Sequence, residues 1–475
     1  MSQKVQDSQH STIRTLLILG ASGDLTGRLL LPGVARLIAA GRAKGLTLIG
    51  AGGSQNPQES WQQRVDRVFG AAAEGCNASG RAALAKVAKT TAYHQLDVTA
   101  EGELAALLAS LTGPVAIYFA LPPAVSQRAC ELLTAADLPA GTRLVMEKPF
   151  GSSAASAHQL NATLAALVPE SHIHRVDHFL GKSTVFNILG LRFANRLLEP
   201  LWNSDHIQQV EIIFDEDLTL ENRAGYYDRA GALRDMIQSH LLQIMALVAM
   251  EPPATLGEQD VRDGIATVLR ASTAAPAKSR RARYTAGKIG RRKVPDYLAE
   301  AGVEAKNNTE TLAEVEVSIA NWRWAGVPFI LRSGKSLGRS RKEAVITYKS
   351  VPHLPTGFRG TDSPTKLHIG FGPDTLQLDL DVNGPGDLFT LNRVRLEAEL
   401  AGDSLLPYGE VLDGVLNGDP LLSVRGDTAE LCWQIVEPTL DAWHAGKVPM
   451  EEYPAGSSGP ADWPTSNDHS ATRIR

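Results

Sequence analysis

Cysteine is scarce. The chain has three in 475 residues, Cys76, Cys130 and Cys432, widely spaced and with no C-x-x-C pair. So few, and odd in number, they argue against a disulfide framework or a zinc site, and no metal is expected. Long apolar runs are missing too: none reaches the roughly 18 residues that a membrane span needs. The N-terminal MSQKVQDSQHSTIR is polar and lacks the apolar core of a secretory signal. The expectation is a cytoplasmic protein with no membrane partner. Nor is positive charge in excess, since 47 Lys and Arg against 52 Asp and Glu leave a net charge of −5. That balance argues against a general nucleic-acid binder. No repeat of solenoid period occurs.

What is present is globular: 43% hydrophobic and 21% charged residues, in a length that suggests two or three domains. Thr15 to Gly20, TLLILG, is apolar throughout, as a buried parallel strand requires. Glycines follow, then helical periodicity. Leu46 to Gly53, Pro114 to Leu121 and Thr142 to Phe150 read as further strands, with helical stretches between. This alternation predicts a doubly wound parallel sheet over residues 1–175. Near 175 the pattern changes, and a helical region runs to about 250. From about 311, period-2 segments such as LAEVEVSIANW, EAVITYKS, TKLHIGF and TLQLDLDV predict antiparallel strands. The second domain, 176–475, reads as α+β with a large antiparallel sheet, and its Gly-, Ser- and Pro-rich tail from about 452 as loose. The basic segment 277–297 reads as a solvated loop, with binding of an anion or a partner subunit as the alternative.

Three constellations carry chemistry. The first strand runs into Gly20-Ala-Ser-Gly23-Asp-Leu-Thr-Gly27, where glycines permit a sharp turn and close approach of backbone N–H groups to a pyrophosphate. A tight turn without ligand is the plainer reading. The second strand ends in Gly50-Ala-Gly-Gly53-Ser-Gln55, with neither the acid that favours NAD nor the Arg that favours NADP. Glu147-Lys148-Pro149 ends an apolar strand, where ligands collect in parallel sheets; a surface Lys–Pro pair is the alternative. In His174-Arg-Val-Asp177-His178-Phe-Leu-Gly-Lys182, His178 and Lys182 suit a phosphate, and the adjacent Asp177 points elsewhere on an extended chain. Leu233, Ile237, Leu241, Ile244 and Val248 make an apolar helical stripe with His240 beside it. His240 is thus either a core histidine or a base, since imidazole titrates at about 6.5 and works best with a carboxylate fixing its tautomer.

GASGDLTGRLLLP, YFALPP, EKPFG, RVDHFLGK, LRFANRLLEPLWN, GYYDRAGALRDMIQSHLLQ, NWRWAGVPFILRSGK and GDPLLSVR, in that order from about 15 to 440, resemble the glucose-6-phosphate dehydrogenase family. The resemblance implies a Rossmann-like first domain. It also implies oxidation of C1 of glucose 6-phosphate to the 6-phosphogluconolactone with hydride transfer to NADP or NAD, the first step of the pentose phosphate pathway. By motif, His240 is then the base, Asp177 its carboxylate, and Lys148 touches both substrate and coenzyme. His178 and Lys182 hold the phosphate, Lys335 helps bind the sugar phosphate, and Glu216 and Asp235 accept from sugar hydroxyls. Gly20, Ser22, Gly23, Asp24, Leu25, Pro122, Lys148 and Pro149 hold the coenzyme. A homodimer or homotetramer is the implied assembly.

Three departures from the family pattern stand out. Phe179 replaces a usual Tyr, which opens the alternative of another C6-anionic sugar. Gly27 and Leu29 stand where basic residues are usual, and Gly53 where an NADP-reading Arg is usual. These losses predict a relaxed or NAD-leaning coenzyme preference. A non-enzymatic paralogue should have lost a catalytic residue, yet Asp177, His240 and Lys148 are all present.

Overall fold

The structure, a computed structural model, describes residues 13–53, 59–220, 224–384, 386–400 and 405–463, and the backbone of a strand at Thr472–Ile474. Internal contacts divide the chain into two units. The first comprises Met1–Ser183, Pro253–Asp263 and Asp403–Leu431; the second comprises Thr184–Pro252, Gly264–Gly402 and Cys432–Arg475. The sequence suggested one boundary at 175, whereas the units are discontinuous. The returning segments carry helices and the short strand Ser423–Val424, and match no local signal for a domain boundary.

In the first unit six parallel strands form one sheet: β1 (Thr15–Leu19), β2 (Thr47–Gly52), β3 (Ala92–Gln95), β4 (Val115–Phe119), β5 (Arg143–Glu147) and β6 (Ile173–Val176). Their spatial order is β6-β5-β4-β1-β2-β3, so the direction of winding reverses between β1 and β4. This is the doubly wound arrangement, with its crevice at the carboxyl ends of the strands. β1 and β4 are buried on both faces, as their apolar sequences demand. The helix Pro407–Asn417 closes over the helix Leu31–Ala39. Gly33 makes this possible, because a Cβ there would lie 3.0 Å from the Gly409 nitrogen. Tyr408, Val411 and Leu412 thereby join a core built on Leu16, Ile18 and Tyr118.

The second unit holds a large mixed sheet. Its strands are β7 (Ile207–Asp215), β8 (Ser272–Ala274), β9 (Arg280–Thr285), β12 (Leu312–Ile319), β13 (Phe329–Gly334), β14 (Arg341–Tyr348), β15 (Arg359–Asp362), β16 (Lys366–Gly370), β17 (Thr375–Asn383) and β18 (Thr390–Glu399). A separate hairpin, β10 (Gly287–Ile289) with β11 (Arg292–Val294), interrupts the series. The chain then returns to the first sheet as β19 (Ser423–Val424), antiparallel to β6, and rejoins the second as β20 (Met450–Pro454) and β21 (Thr472–Ile474). Most pairs are antiparallel as the period-2 pattern predicts, but β13–β7, β20–β9 and β15–β18 are parallel. No described helix is long and apolar enough to cross a membrane.

Three local expectations are corrected. The supposedly helical region from 175 to 250 contains β7, the centre of the large sheet, between β13 and β14. Buried on both faces, IQQVEIIFD lost the alternation that marks a half-exposed strand. The tail is not loose from 452: β20 pairs with β9, and Tyr453 and Trp463 are buried. Residues 464–471 of that tail lie outside the described residues. The basic segment 277–297 is strand and hairpin, not a solvated loop. Arg281 is buried in β9; its Nε and Nη2 donate to the Val448 carbonyl at 3.2 and 2.9 Å, and Nη2 donates to the Trp443 carbonyl at 3.0 Å. Arg281→Ala strips two buried carbonyls of their donor, a loss of about 2–4 kcal/mol. It should lower the thermal unfolding midpoint by roughly 5 °C or more. Lys293→Ala, in the exposed hairpin, should leave the midpoint within about 1 °C.

Candidate active site

The glycine turn stands at the reversal point of the first sheet. Gly20 has φ +85°, and a Cβ there would collide with the Ala120 carbonyl at the end of β4. Only glycine satisfies both constraints. Thr26 Oγ1, buried, donates to the Gly20 carbonyl at 3.0 Å and pins the turn. A π-helical turn, Thr26–Leu30, continues as the helix Leu31–Ala39. Asp24 and Leu25 begin this helical run, and first-turn N–H groups have no partners within a helix. The backbone therefore fits a dinucleotide's pyrophosphate. Ser22, Gly23 and Leu25 are partly accessible there; Asp24 is exposed and pairs with Arg28 at 3.2 Å. Pro122 precedes the helix Pro123–Glu131 just past β4. Gly52 ends β2, with Gly53 next; Ser54 and Gln55 of the expected ribose-reading stretch lie outside the described residues.

β5 and β6 are parallel neighbours, with Glu147 opposite Val176. Lys148 and Asp177 are the next residue on each strand, so backbone register alone brings those two positions side by side. Lys148 is joined to Pro149 by a cis peptide. Asp177 is fully buried, and its Oδ1 accepts from the Phe179 N–H at 3.0 Å. Tight turns from Asp177 to Lys182 then present His178 and Lys182. The His178 ring stacks on Tyr408, centroids 5.6 Å apart and 11° from parallel. Lys182 Nζ lies 5.1 Å from the centre of the buried Phe179 ring. The residue that replaces the usual Tyr thus carries the lysine stem by a cation–π contact.

Beneath this group lies a carboxyl that the sequence reading gave no role. Glu147 accepts a hydrogen bond from Tyr118 in β4 and another from Tyr408. Burial pushes its pKa up to about 7, against the lowering effect of both tyrosines and Lys148; Asp177 adds to the rise. Tyr408 thus links Glu147 to the His178 ring. It lies far downstream, and only the fold could reveal it.

In the second unit, β7 and β13 are also parallel neighbours, with Asp215 opposite Gly334. Glu216 and Lys335 follow their ends, and Lys335 Nζ meets Glu216 Oε2 at 2.7 Å. Lys342 Nζ is 3.8 Å from the other oxygen. Lys335 also lies 5.2 Å from the centre of the Tyr227 ring, whose hydroxyl pKa is raised chiefly by burial and then by Asp235. Glu216, Asp235 and Lys335 therefore gather around Tyr227. Asp235 and His240 both lie on a π-helix, Leu233–Leu241, which continues as the helix Leu242–Ala249. The stripe expected on this segment is buried all round, and His240 is 1% exposed. Glu310 caps the start, accepting from the Leu233 N–H at 3.0 Å beside Gly231, whose φ is +72°. The π-helix packs on β7, β12 and β13.

A glycine turn between strand and helix at the switch point of a doubly wound sheet is the equipment of a dinucleotide-binding domain. Comparison with known proteins agrees. The profile "Glucose-6-phosphate dehydrogenase, NAD binding domain" matches residues 17–187, and "Glucose-6-phosphate dehydrogenase, C-terminal domain" matches 189–471. The glucose-6-phosphate 1-dehydrogenase of Gluconobacter oxydans is 36% identical over 463 residues, covering 94% of each chain. That of Treponema pallidum is 37% identical over 491 residues, covering 96% of this chain and 94% of its own. The glucose-6-phosphate 1-dehydrogenase structure from Mycobacterium avium superposes with a TM-score of 0.82 at 33% identity, covering 94% of this chain and 95% of that one. A glucose-6-phosphate dehydrogenase in complex with its substrate glucose-6-phosphate gives 0.81 at 28% identity, with 95% and 96% coverage. The chain belongs to the glucose-6-phosphate dehydrogenase family.

The raised Glu147 pKa has a signed consequence for stability. An unfolded glutamate titrates at about 4.3, so between that value and about 7 the folded protein binds more protons than the unfolded chain. Stability contributed by this group is present at low pH and is lost as pH rises through that window. Glu147→Gln keeps an acceptor for Tyr118 and removes the titration. Its melting temperature relative to the parent should be higher at pH 8 than at pH 5, by an amount corresponding to about 2–3 kcal/mol. An equal difference at both pH values would show that Glu147 ionises normally.

Proposed function

We propose that the chain oxidises C1 of glucose 6-phosphate to 6-phosphogluconolactone, passing hydride to NADP or NAD, at the start of the pentose phosphate pathway. The observation that carries this reading is the family match along 94–96% of the chain at 36–37% identity. The nicotinamide accepts the hydride. His240 takes the proton from the C1 hydroxyl, because hydride leaves most readily when that oxygen is losing its proton. Asp177 supplies the carboxylate of the machinery. His178 and Lys182 grip the 6-phosphate, so that binding energy from a remote group positions C1. Lys335 assists at the sugar phosphate, and Glu216 and Asp235 accept from sugar hydroxyls. Lys148 donates to substrate and coenzyme, and Pro149 and Pro122 shape the nicotinamide end. Gly20, Ser22, Gly23, Asp24 and Leu25 hold the pyrophosphate.

Coenzyme choice is relaxed on this reading, since Gly27, Leu29 and Gly53 replace the usual cations. Three free thiols support a reducing cytoplasm as its setting. Exposed Leu388, Phe389 and Leu396, at or beside β18, support a homo-oligomer. A second reading, a sugar with another anionic group at C6, draws on Phe179 alone.

Initial rates on glucose 6-phosphate should show kcat/KM values for NADP and NAD within about tenfold of each other; a hundredfold preference for NADP would overturn the relaxed reading. His240→Asn should lower kcat by roughly 10²–10⁴-fold and leave the substrate Kd nearly unchanged. Wild-type turnover would return His240 to the core. Lys182→Ala should raise the sugar-phosphate KM about tenfold or more, with little change in the coenzyme KM.

A further inference from the structure

The family's usual cations around the adenosine ribose are missing at Gly27, Leu29 and Gly53, yet the space is not left uncharged. A helix, Trp61–Ala73, follows β2, with Ser60 accepting from the Gln63 N–H at its start. It is docked by Trp61, whose ring lies where a Cβ on Gly50 of β2 would fall, at 2.7 Å. Its next residues carry Arg64 back to the glycine turn. Arg64 Nη1 donates to the Gly23 carbonyl at 2.7 Å. The same atom lies 2.9 Å from where a Cβ on Gly27 would stand. The guanidinium fills the volume that a side chain at 27 would occupy. Its site, between the first glycine turn and the end of the second strand, is where this fold reads the 2′ position of the ribose.

The charge there is not cancelled. Glu59 approaches Arg64 Nε at 3.4 Å, but that carboxylate is held in two hydrogen bonds by Arg67, at 2.8 and 3.1 Å. Two arginines share one acid. Arg64 Nη2 has no hydrogen-bond partner among the described residues, and the side chain is 14% exposed. Arg28, the other cation of the turn, pairs with Asp24 and is 67% exposed. A planar donor anchored at one nitrogen and open at another suits a phosphate oxygen.

We propose that Arg64 reads the coenzyme's 2′-phosphate in this chain, taking over from a different element the function of the cations absent at 27 and 53. The inference rests on the coenzyme reading above and locates the NADP affinity that remains. The Arg64 side chain reaches the site through the gap that Gly27 opens, so a side chain at 27 would push the guanidinium out of its present position.

The test is calorimetric binding of NADP and of NAD to the full chain without sugar, for the parent, Arg64→Gln, and Arg64→Gln combined with Gly27→Lys. Arg64→Gln should weaken NADP by about 10- to 100-fold and change NAD by less than threefold. The double variant should recover much of the NADP affinity, because lysine enters the vacated volume from the turn itself. A guanidinium that merely braces the Gly23 carbonyl would weaken both coenzymes alike, and that result overturns the proposal. Unchanged NADP binding overturns it as well. A parent that binds neither coenzyme defeats the coenzyme reading itself, whereas loss of NADP affinity alone in Arg64→Gln, from whatever NADP-to-NAD ratio the parent shows, supports the proposal.

Discussion

Parallel strand pairing sets where four of the proposed polar groups stand. In a parallel pair both chains finish at the same edge, so the next residue of each strand emerges beside its neighbour. Glu147 opposite Val176 places Lys148 next to Asp177 in the first unit. Asp215 opposite Gly334 places Glu216 next to Lys335 in the second, and there the ion pair at 2.7 Å follows. The second case is notable because β7 and β13 are a parallel exception in a mostly antiparallel sheet. A one-residue slip in either register would turn the side chains to the opposite face. The extensive buried apolar surface of these strands guards against that slip.

Charge at such an edge must be managed, because burial penalises it. The two units do so differently. In the second, Glu216 is shared by Lys335 and Lys342, so the acid and the lysine proposed for the sugar are paired ions before a ligand arrives. A substrate phosphate or hydroxyl must compete with that pair, which favours ligands offering equivalent hydrogen bonds and disfavours apolar ones. In the first, Lys148 and two tyrosine donors do not offset the burial of Glu147, and its pKa rises to about 7. Its two tyrosine donors then serve both protonation states. They tie β4 and the helix Pro407–Asn417 to the strand that carries Lys148, and through Tyr408 to the His178 ring.

How much of this was legible in the sequence depended on whether the signal was local. TLLILG, the glycine turn and the alternating strands after 311 carry their periodicity within a few residues, and the structure has elements at those places. Of the residues named from contiguous motifs, Lys148, Asp177, Glu216 and Lys335 stand just past strand ends, His178 and Lys182 in turns, and Asp235 and His240 on a π-helix. What escaped was decided across the chain. β7 has no alternation because both its faces are covered. The basic run 277–297 resembles a solvated loop until Arg281 is seen donating to carbonyls at 443 and 448. Tyr408 reaches its partners only because glycines at 33 and 409 let two helices close. Arg64 is one arginine among many until its guanidinium is found in the space over Gly27. No composition rule ranks it above Arg67, three positions on.

Helix type is the subtlest of these non-local effects, and it bears directly on the proposed base. On an α-helix, residues five apart differ by roughly 140° in direction, so Asp235 and His240 would face different surroundings. The segment Leu233–Leu241 is a π-helix, and i→i+5 bonding narrows the angle between positions five apart. Such geometry is intrinsically unfavourable and needs support from outside the helix. Glu310 provides it at the start, accepting from the Leu233 N–H, and complete burial of the following turns provides it at the end. Widening the helix in this way turns Asp235, which bears on Tyr227, and His240 closer to one direction than an α-helix would. His240 sits in a fully buried segment, as a core histidine would. What distinguishes it is that the backbone under it departs from the α-helix over the nine residues that hold both groups.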